Sequence, residues 1–178
     1  MRRWRGVHDL LRLVGDQRTE LHAATAVFVP AALSDFTLER RPGKIPSAQH
    51  ENLQLSLHRA PKVLPELRRL APSPTRIVAF KLEPGTTADE LEAAGRALAK
   101  ESGADWVVAN DTATMGASDT NALVLPPAGG RQWIRGPKDS FAGKLLDDVG
   151  RDLANLVPAD ASPSSRRTRT QRPRHRRR

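Results

Sequence analysis

The stretch that decides the fold is residues 24–45, ATAVFVP followed by AALSDFTLERRPGKI. Its apolar run VFV is typical of a parallel strand that is buried on both faces. The run then breaks into small residues, an acid and a loop that carries Asp35 and Lys44. In an open α/β sheet, ligands bind just beyond the carboxyl ends of the strands, where helix N-termini also point. Asp35 and Lys44 are therefore expected to belong to a nucleotide site.

The positive charge of the chain is concentrated at its C-terminus. The 178 residues carry a formal net charge of +9, and eight arginines lie within residues 162–178, SPSSRRTRTQRPRHRRR, which contain no acid. Without these arginines the net charge is about +1, so basicity describes the tail and not the domain. We expect one α/β domain over residues 1–158 and a disordered arginine-rich tail over residues 159–178, which has too few apolar residues to fold.

Composition also excludes several kinds of site. There is no cysteine, which rules out disulfides, thiolate metal sites and a cysteine nucleophile in this chain. The five histidines show no metal-ligand spacing, so no metal site is expected. No apolar run is long enough for a bilayer, and MRRWRGVHDLL lacks the apolar core of a signal peptide. These observations favour a cytoplasmic protein without a membrane segment.

Hydrophobic periodicity and capping signals predict the remaining elements. A helix between two buried strands implies a parallel crossover, so the predicted fold class is α/β: a Rossmann-like parallel sheet with flanking helices and an antiparallel edge hairpin or flap. The predicted helices are residues 7–21, 61–70, 87–100 and 139–156, and the predicted strands are residues 26–29, 52–57, 76–82, 105–109, 121–125 and 132–134. The alternating strand 52–57 suits either pairing across a dimer or an ordinary edge hairpin.

Polar side chains follow the predicted parallel strands. They are Asp35, Lys81 with Glu83, and Asn110 with Asp111. Because a parallel sheet brings its strand ends side by side, these residues are expected to share one crevice. Taken singly, each also fits an ordinary loop or cap, where Asp and Asn are common.

Read in order, these segments resemble a known family. The series AALSDF, GKI, an alternating strand leading to PKVL, then VAFKLE, a helix and DWVVAND is similar to phosphopantothenate-cysteine ligase, the C-terminal half of the DNA/pantothenate metabolism flavoprotein in many bacteria. The resemblance implies activation of 4'-phosphopantothenate by CTP or ATP, with Mg²⁺, to an acyl-nucleotidylate that cysteine then attacks. It also implies a homodimer with a composite site.

The resemblance assigns roles to individual positions. Lys44 matches the lysine of a flap over the active site and is the implied catalytic residue, because its ammonium would neutralise a phosphate or a developing oxyanion. Asn110 and Asp111 match the AND segment of the substrate pocket, and Lys138 falls where the family has a Ser-Lys pair of unassigned role. The implied nucleotide-binding positions are Ala31, Asp35, Lys44, Pro61, Lys62, Val63, Leu64, Phe80, Arg96 and Lys100.

Each of these roles has a structural alternative. Lys44 also fits a solvated loop lysine, and Phe80 also fits a core side chain of a buried strand. Arg96 and Lys100, four residues apart on one helix face, also fit a pair that serves solubility alone.

The sequence also departs from the family pattern. The family's opening strand, its GGT turn and its SSG segment have no counterpart, so we expect that part to be supplied elsewhere or the chain to be inactive. Pro46 replaces the second lysine of KIK, and Lys62 replaces the aspartate of PDIL. The alternative function is therefore a catalytically degenerate binding protein whose arginine tail contacts nucleic acid or another polyanion weakly, without an aromatic side chain to stack on a base.

Overall fold

The computed structural model describes residues 3–38, 43, 45–46, 52–71, 73–114 and 116–156. Within these residues five strands form a sheet in the order β1-β4-β5-β6-β7, and two further strands, β2 and β3, form a separate hairpin. The elements are α1 (Val7–Asp16), α2 (Arg18–Ala23), β1 (Ala26–Val29), β2 (Phe36–Leu38), β3 (Leu57–Arg59), α3 (Val63–Leu70), β4 (Arg76–Glu83), α4 (Ala88–Ser102), β5 (Trp106–Asp111), β6 (Asp119–Leu125), β7 (Gln132–Pro137) and α5 (Lys138–Leu156).

The sheet is mixed, with a parallel core. Strand β4 pairs in parallel with both β1 and β5, whereas β6 and β7 continue the sheet in antiparallel pairing. The predicted α/β class, the parallel crossover through α4 and the antiparallel edge hairpin are all confirmed. The carboxyl ends of β1, β4 and β5 consequently lie side by side at one edge of the sheet.

Helices cover both faces of this sheet. Apolar residues of α1, α3 and α4 pack with Ile77 and Val107 in one core cluster. On the opposite face, α5 packs Leu145 and Val149 against Val78 and its neighbours. Alternate residues of β4 therefore enter different clusters, as the two-residue period of a strand requires.

Helix α4 begins and ends as its local sequence predicts. The Thr87 hydroxyl accepts a hydrogen bond from the backbone N–H of Glu90, whose carboxylate in turn accepts from the backbone N–H of Thr87. Gly103 closes the helix in the left-handed conformation, at φ 71°. Such termini depend on neighbours in sequence and need no tertiary contact.

Strand β1 is placed correctly, but its predicted burial on both faces is wrong. All four residues of Ala26–Val29 are only partly buried. The reason is position: among the described residues, β1 pairs with β4 alone and forms an edge of the sheet. An apolar run is therefore compatible with an edge strand as well as a central one.

Two other predictions need correction. The helix predicted over residues 7–21 is divided at Gln17 (φ −97°, ψ 23°) into α1 and α2, next to Gly15 and Asp16, which are poor helix formers. The strand predicted over residues 52–57 exists only as Leu57–Arg59, which pairs with the unpredicted strand Phe36–Leu38. Residues 157–178, which include the predicted tail, lie outside the described part of the chain.

Candidate functional site

A cavity of about 810 Å³ opens at the carboxyl ends of the parallel strands. The loop after β1 forms one wall with residues 30–35, and the start of α3 contributes residues 61–65. The end of β4 supplies Phe80, Lys81 and Leu82. The remaining lining residues come from α4, from the end of β5 and its following loop, and from β6 and α5: Leu98, Glu101, Ser102, Asn110, Gly116, Thr120, Lys138 and Phe141.

Asp35 and Lys62 form an ion pair on the wall of this cavity. The Lys62 ammonium donates to the Asp35 carboxylate over 2.6 Å, although both side chains are largely exposed. The hydrogen bond and charge of Lys62 lower the pKa of the Asp35 carboxyl, and Lys81 and Arg59 act in the same direction. Asp35 is therefore an anion at neutral pH, and Lys62 is its partner.

Lys81 is held at the end of β4 by a second ion pair. Its ammonium lies 2.8 Å from the carboxylate of Glu83, two residues further along the strand. Because side chains two apart share a strand face, this pairing follows from local geometry. Lys81 lines the cavity while its charge is largely balanced.

Phe80 and Asn110 lie on the α5 side of the sheet. Phe80 is partly buried and packs against the core cluster of that face, so its ring belongs to the core and to the cavity wall at once. The Asn110 side-chain amide donates to the hydroxyl of Thr120 on the neighbouring strand β6, over 3.2 Å. That bond orients the amide at the cavity edge.

Asp111, the neighbour of Asn110, is placed outside the cavity lining. Its carboxylate accepts from the backbone N–H of Ala113 over 2.8 Å and of Gly85 over 3.4 Å. The hydrogen bond from Ala113 is the main cause that lowers the pKa of the Asp111 carboxyl. The side chain thus ties together the loops that follow β4 and β5.

Arg96 and Lys100 also lie outside the cavity lining. The Arg96 guanidinium donates to the carbonyl of Gly130 over 2.7 Å and pairs with Glu92, so it fastens the β6–β7 turn to α4. The same helix meets the cavity through Leu98 and Glu101, which are three residues apart and share a different face. This geometry gives no support to a phosphate-binding role for the basic pair.

The remaining predicted site residues fall into two groups, those that the structure describes and those that it does not. Ala31, Pro61, Val63 and Leu64 all line the cavity together with Asp35, Lys62, Phe80 and Asn110. Lys44 lies outside the described residues. Sequence reasoning missed Glu101 and Phe141, because a helix residue next to a cavity carries no signal comparable to a strand end.

The described residues offer no cluster of three or more His, Cys, Asp or Glu side chains that could hold a metal ion. None of the described helices has the length and apolar character needed to cross a membrane. The described residues form instead a wide cavity lined by several lysines, two carboxylates and two phenylalanines. A crevice beyond the strand ends is typical of one class of protein: open α/β domains in which small ligands bind at the carboxyl edge of the sheet.

Comparison with known proteins identifies the family within this class. Residues 7–153 match the DNA/pantothenate metabolism flavoprotein C-terminal domain, and the chain belongs to that family. The resemblance drawn from the sequence motifs is thereby confirmed.

Two archaeal relatives are each described as a coenzyme A biosynthesis bifunctional protein CoaBC. The protein of Thermococcus kodakarensis is 30% identical over 128 residues, which cover 71% of this chain and 31% of the relative. The protein of Methanocaldococcus jannaschii is 40% identical over 81 residues, which cover 46% and 19% respectively. The chain therefore spans less than a third of the length of either relative.

Solved structures share the fold. The DNA/pantothenate metabolism flavoprotein from Streptococcus pneumoniae superposes with a TM-score of 0.69 at 21% identity, covering 85% of this chain and 72% of that one. A Cab2 mutant, H337A, in complex with phosphopantothenate-cysteine superposes with a TM-score of 0.63 at 18% identity, covering 85% and 53%. At these identities the likeness concerns the fold alone.

Proposed function

We propose that this chain forms the nucleotide and substrate site of a phosphopantothenate-cysteine ligase of coenzyme A biosynthesis. The observation that carries the proposal is the shared cavity. Asp35, Phe80 and Asn110 come from three separate strand ends and line one space large enough for a nucleotide. The family membership and the names of the archaeal relatives support the same reaction.

The proposed reaction has two steps. A carboxylate oxygen of 4'-phosphopantothenate attacks the α-phosphorus of CTP or ATP, which forms an acyl-nucleotidylate and releases pyrophosphate. The amine of cysteine then attacks the acyl carbon, the nucleoside monophosphate leaves with the C–O bonding electrons, and the amine proton passes to solvent. The chain needs to hold the anionic groups together and to stabilise charge on the carbonyl oxygen.

The cavity residues suit these tasks. The Asp35 carboxylate accepts from amino or hydroxyl donors of the nucleotide, and Phe80 offers an apolar face to the base. Lys44 is the proposed cation for the phosphate or the oxyanion. Mg²⁺ would arrive with the triphosphate and be held mainly by phosphate oxygens and water, which suits a site whose described residues offer no carboxylate cage.

We further propose that the protein acts as a homodimer that associates through the β2–β3 hairpin. Phe36, Leu38 and Leu57 share one hairpin face and are 53%, 47% and 58% exposed. An isolated two-stranded hairpin is only marginally stable in water, so an apolar face of this kind favours a second copy. Sedimentation should show a dimer, and Leu57→Glu should shift it to the monomer; a monomeric wild-type chain would contradict this.

The ligase proposal is tested with the full chain, CTP or ATP, 4'-phosphopantothenate and cysteine, while pyrophosphate release and nucleotide binding are both followed. Asp35→Asn should weaken nucleotide binding about tenfold or more, since a hydrogen bond to a charged group contributes about 1.5–3 kcal/mol. Asp16→Asn removes the same charge from an exposed residue outside the cavity and serves as the control. Absence of both binding and turnover in the wild-type chain would overturn the proposal.

A second candidate function rests on the eight arginines within residues 162–178. They would release counterions from a polyanion and give salt-dependent binding without sequence preference. Deletion of residues 162–178 should then abolish retention on immobilised polynucleotide, and unchanged retention would remove this candidate.

A further inference from the structure

The lysines that line the cavity differ in whether their charge is paired with a carboxylate. Among the described residues, five charged side chains line the cavity: Asp35, Lys62, Lys81, Glu101 and Lys138. Lys62 is paired with Asp35 at 2.6 Å, and Lys81 is paired with a carboxylate of its own strand at 2.8 Å. Two of the three lysines are therefore neutralised before any ligand binds.

Lys138 differs from Lys62 and Lys81 in the contacts of its ammonium. Its backbone N–H donates to the carbonyl of Ser118 over 3.3 Å, which fixes the residue at the first turn of α5. Within the ranges that the structure describes, its ammonium makes no hydrogen bond or ion pair. The side chain is exposed and lines the cavity, so its charge is available to a ligand bound there.

The surroundings of Lys138 favour an anion over a neutral group. Asn110 and Thr120 line the cavity on the same side of the sheet as α5, and they supply uncharged polar groups. The N-terminus of α5, a helix of 19 residues, adds its partial positive charge at the same place. Glu101, whose carboxylate has no charge partner among the described residues, lies on α4, which covers the opposite face. Asp139 follows Lys138 in sequence but does not line the cavity.

From this charge distribution we propose that Lys138 binds a phosphate group of the ligand, at the α5 side of the cavity. An ammonium is a compact charge with three donors and suits phosphate oxygens. The inference rests on the proposed function for the identity of the ligand, since the nucleotide and 4'-phosphopantothenate both carry phosphate. The phosphate-binding role itself rests on the cavity and on the Lys138 ammonium, which has no partner among the described residues.

The test measures calorimetric binding to the full chain and to the variants Lys138→Gln, Lys138→Arg and Lys144→Gln. Lys144 lies on the same helix, pairs with Asp148 at 3.4 Å and does not line the cavity, so it provides the same charge change elsewhere. The ligands are inorganic pyrophosphate, CTP, ATP and 4'-phosphopantothenate, with cytidine, adenosine and pantothenate as phosphate-free counterparts.

Lys138→Gln should weaken binding of the phosphate-bearing ligands about tenfold, leave the phosphate-free counterparts unchanged, and be rescued largely by Lys138→Arg. If Lys138→Gln loses affinity only for CTP and ATP, Lys138 binds a phosphate of the nucleotide. If it loses affinity only for 4'-phosphopantothenate, Lys138 binds the phosphate of that substrate. Wild-type affinities in Lys138→Gln, an equal loss in Lys144→Gln, or no binding of any phosphate compound to the wild-type chain would overturn the inference. Lys138-dependent pyrophosphate binding without binding of either substrate would contradict the proposed function while the inference stands.

Discussion

Asp105 provides the most direct test of how the sheet is held together below the cavity. Its carboxylate accepts hydrogen bonds from the guanidinium groups of Arg68 on α3 and Arg76 on β4, and from the backbone N–H of Ile77 over 2.8 Å. The Asp105 and Arg76 side chains are only 19% and 13% exposed. One carboxylate thus joins a helix and two parallel strands at the end of the sheet opposite the cavity.

The substitution Asp105→Asn keeps the shape and one acceptor oxygen but removes the charge. Arg76 retains its ion pair with Asp152, and Arg68 retains the carbonyls of Gly103, Ala71 and Thr75. The free energy of unfolding should therefore decrease by about 2 kcal/mol. This is less than the ~3–5 kcal/mol typical of a buried charge that is left without any partner. For a chain of this size that corresponds to a decrease of roughly 4–8 °C in Tm.

Urea unfolding followed by circular dichroism at neutral pH measures this loss. The control is Glu66→Gln, which removes one carboxylate charge from an ion pair with Arg69 on the exposed surface of α3. An exposed pair of this kind contributes about 0–1 kcal/mol. If Asp105→Asn destabilises the protein no more than Glu66→Gln does, the assignment of a structural role to this network is wrong.

Three further changes test local features. Thr87→Ala removes the hydroxyl that caps α4 and should lower the free energy of unfolding by about 1 kcal/mol, as measured by urea unfolding. Gly103→Ala should lower the free energy of unfolding by about 1–2 kcal/mol in the same assay, because the residue has φ 71° and an added Cβ would lie 3.1 Å from the Arg68 side chain. An unchanged unfolding midpoint would show that the turn adapts. Lys62→Met should raise the NMR titration midpoint of the Asp35 carboxyl toward 3.8, because Lys62 is the main cause of its lowered pKa. A carboxyl whose pKa is lowered by folding stabilises the fold above its unfolded pKa and loses that effect as pH falls through its folded pKa. In Lys62→Met this acid-side loss should therefore be smaller and should end at higher pH, and an unchanged Asp35 midpoint would contradict the pairing.

Much of the candidate site could be reached from the sequence because its residues stand at strand ends. The apolar runs before Asp35 and Asn110, and the run that carries Phe80, predict parallel strands whose ends meet at one edge. The paired partners could not be predicted in the same way. Lys62 meets Asp35 across 27 residues of sequence, and nothing local indicates that contact.

The sequence by itself determined the α/β class, the capped helix α4, the antiparallel hairpin β6–β7 and the family, because periodicity, capping and motif order act over short separations. Only the tertiary structure decided that β1 lies at an edge of the described sheet, since the number of neighbours of a strand is a property of the assembled sheet. It also decided that Arg96 fastens the β6–β7 turn, and that Lys138 lines the cavity without a charge partner in the described part of the chain. Both outcomes depend on which distant groups folding brings within reach of a flexible cationic side chain.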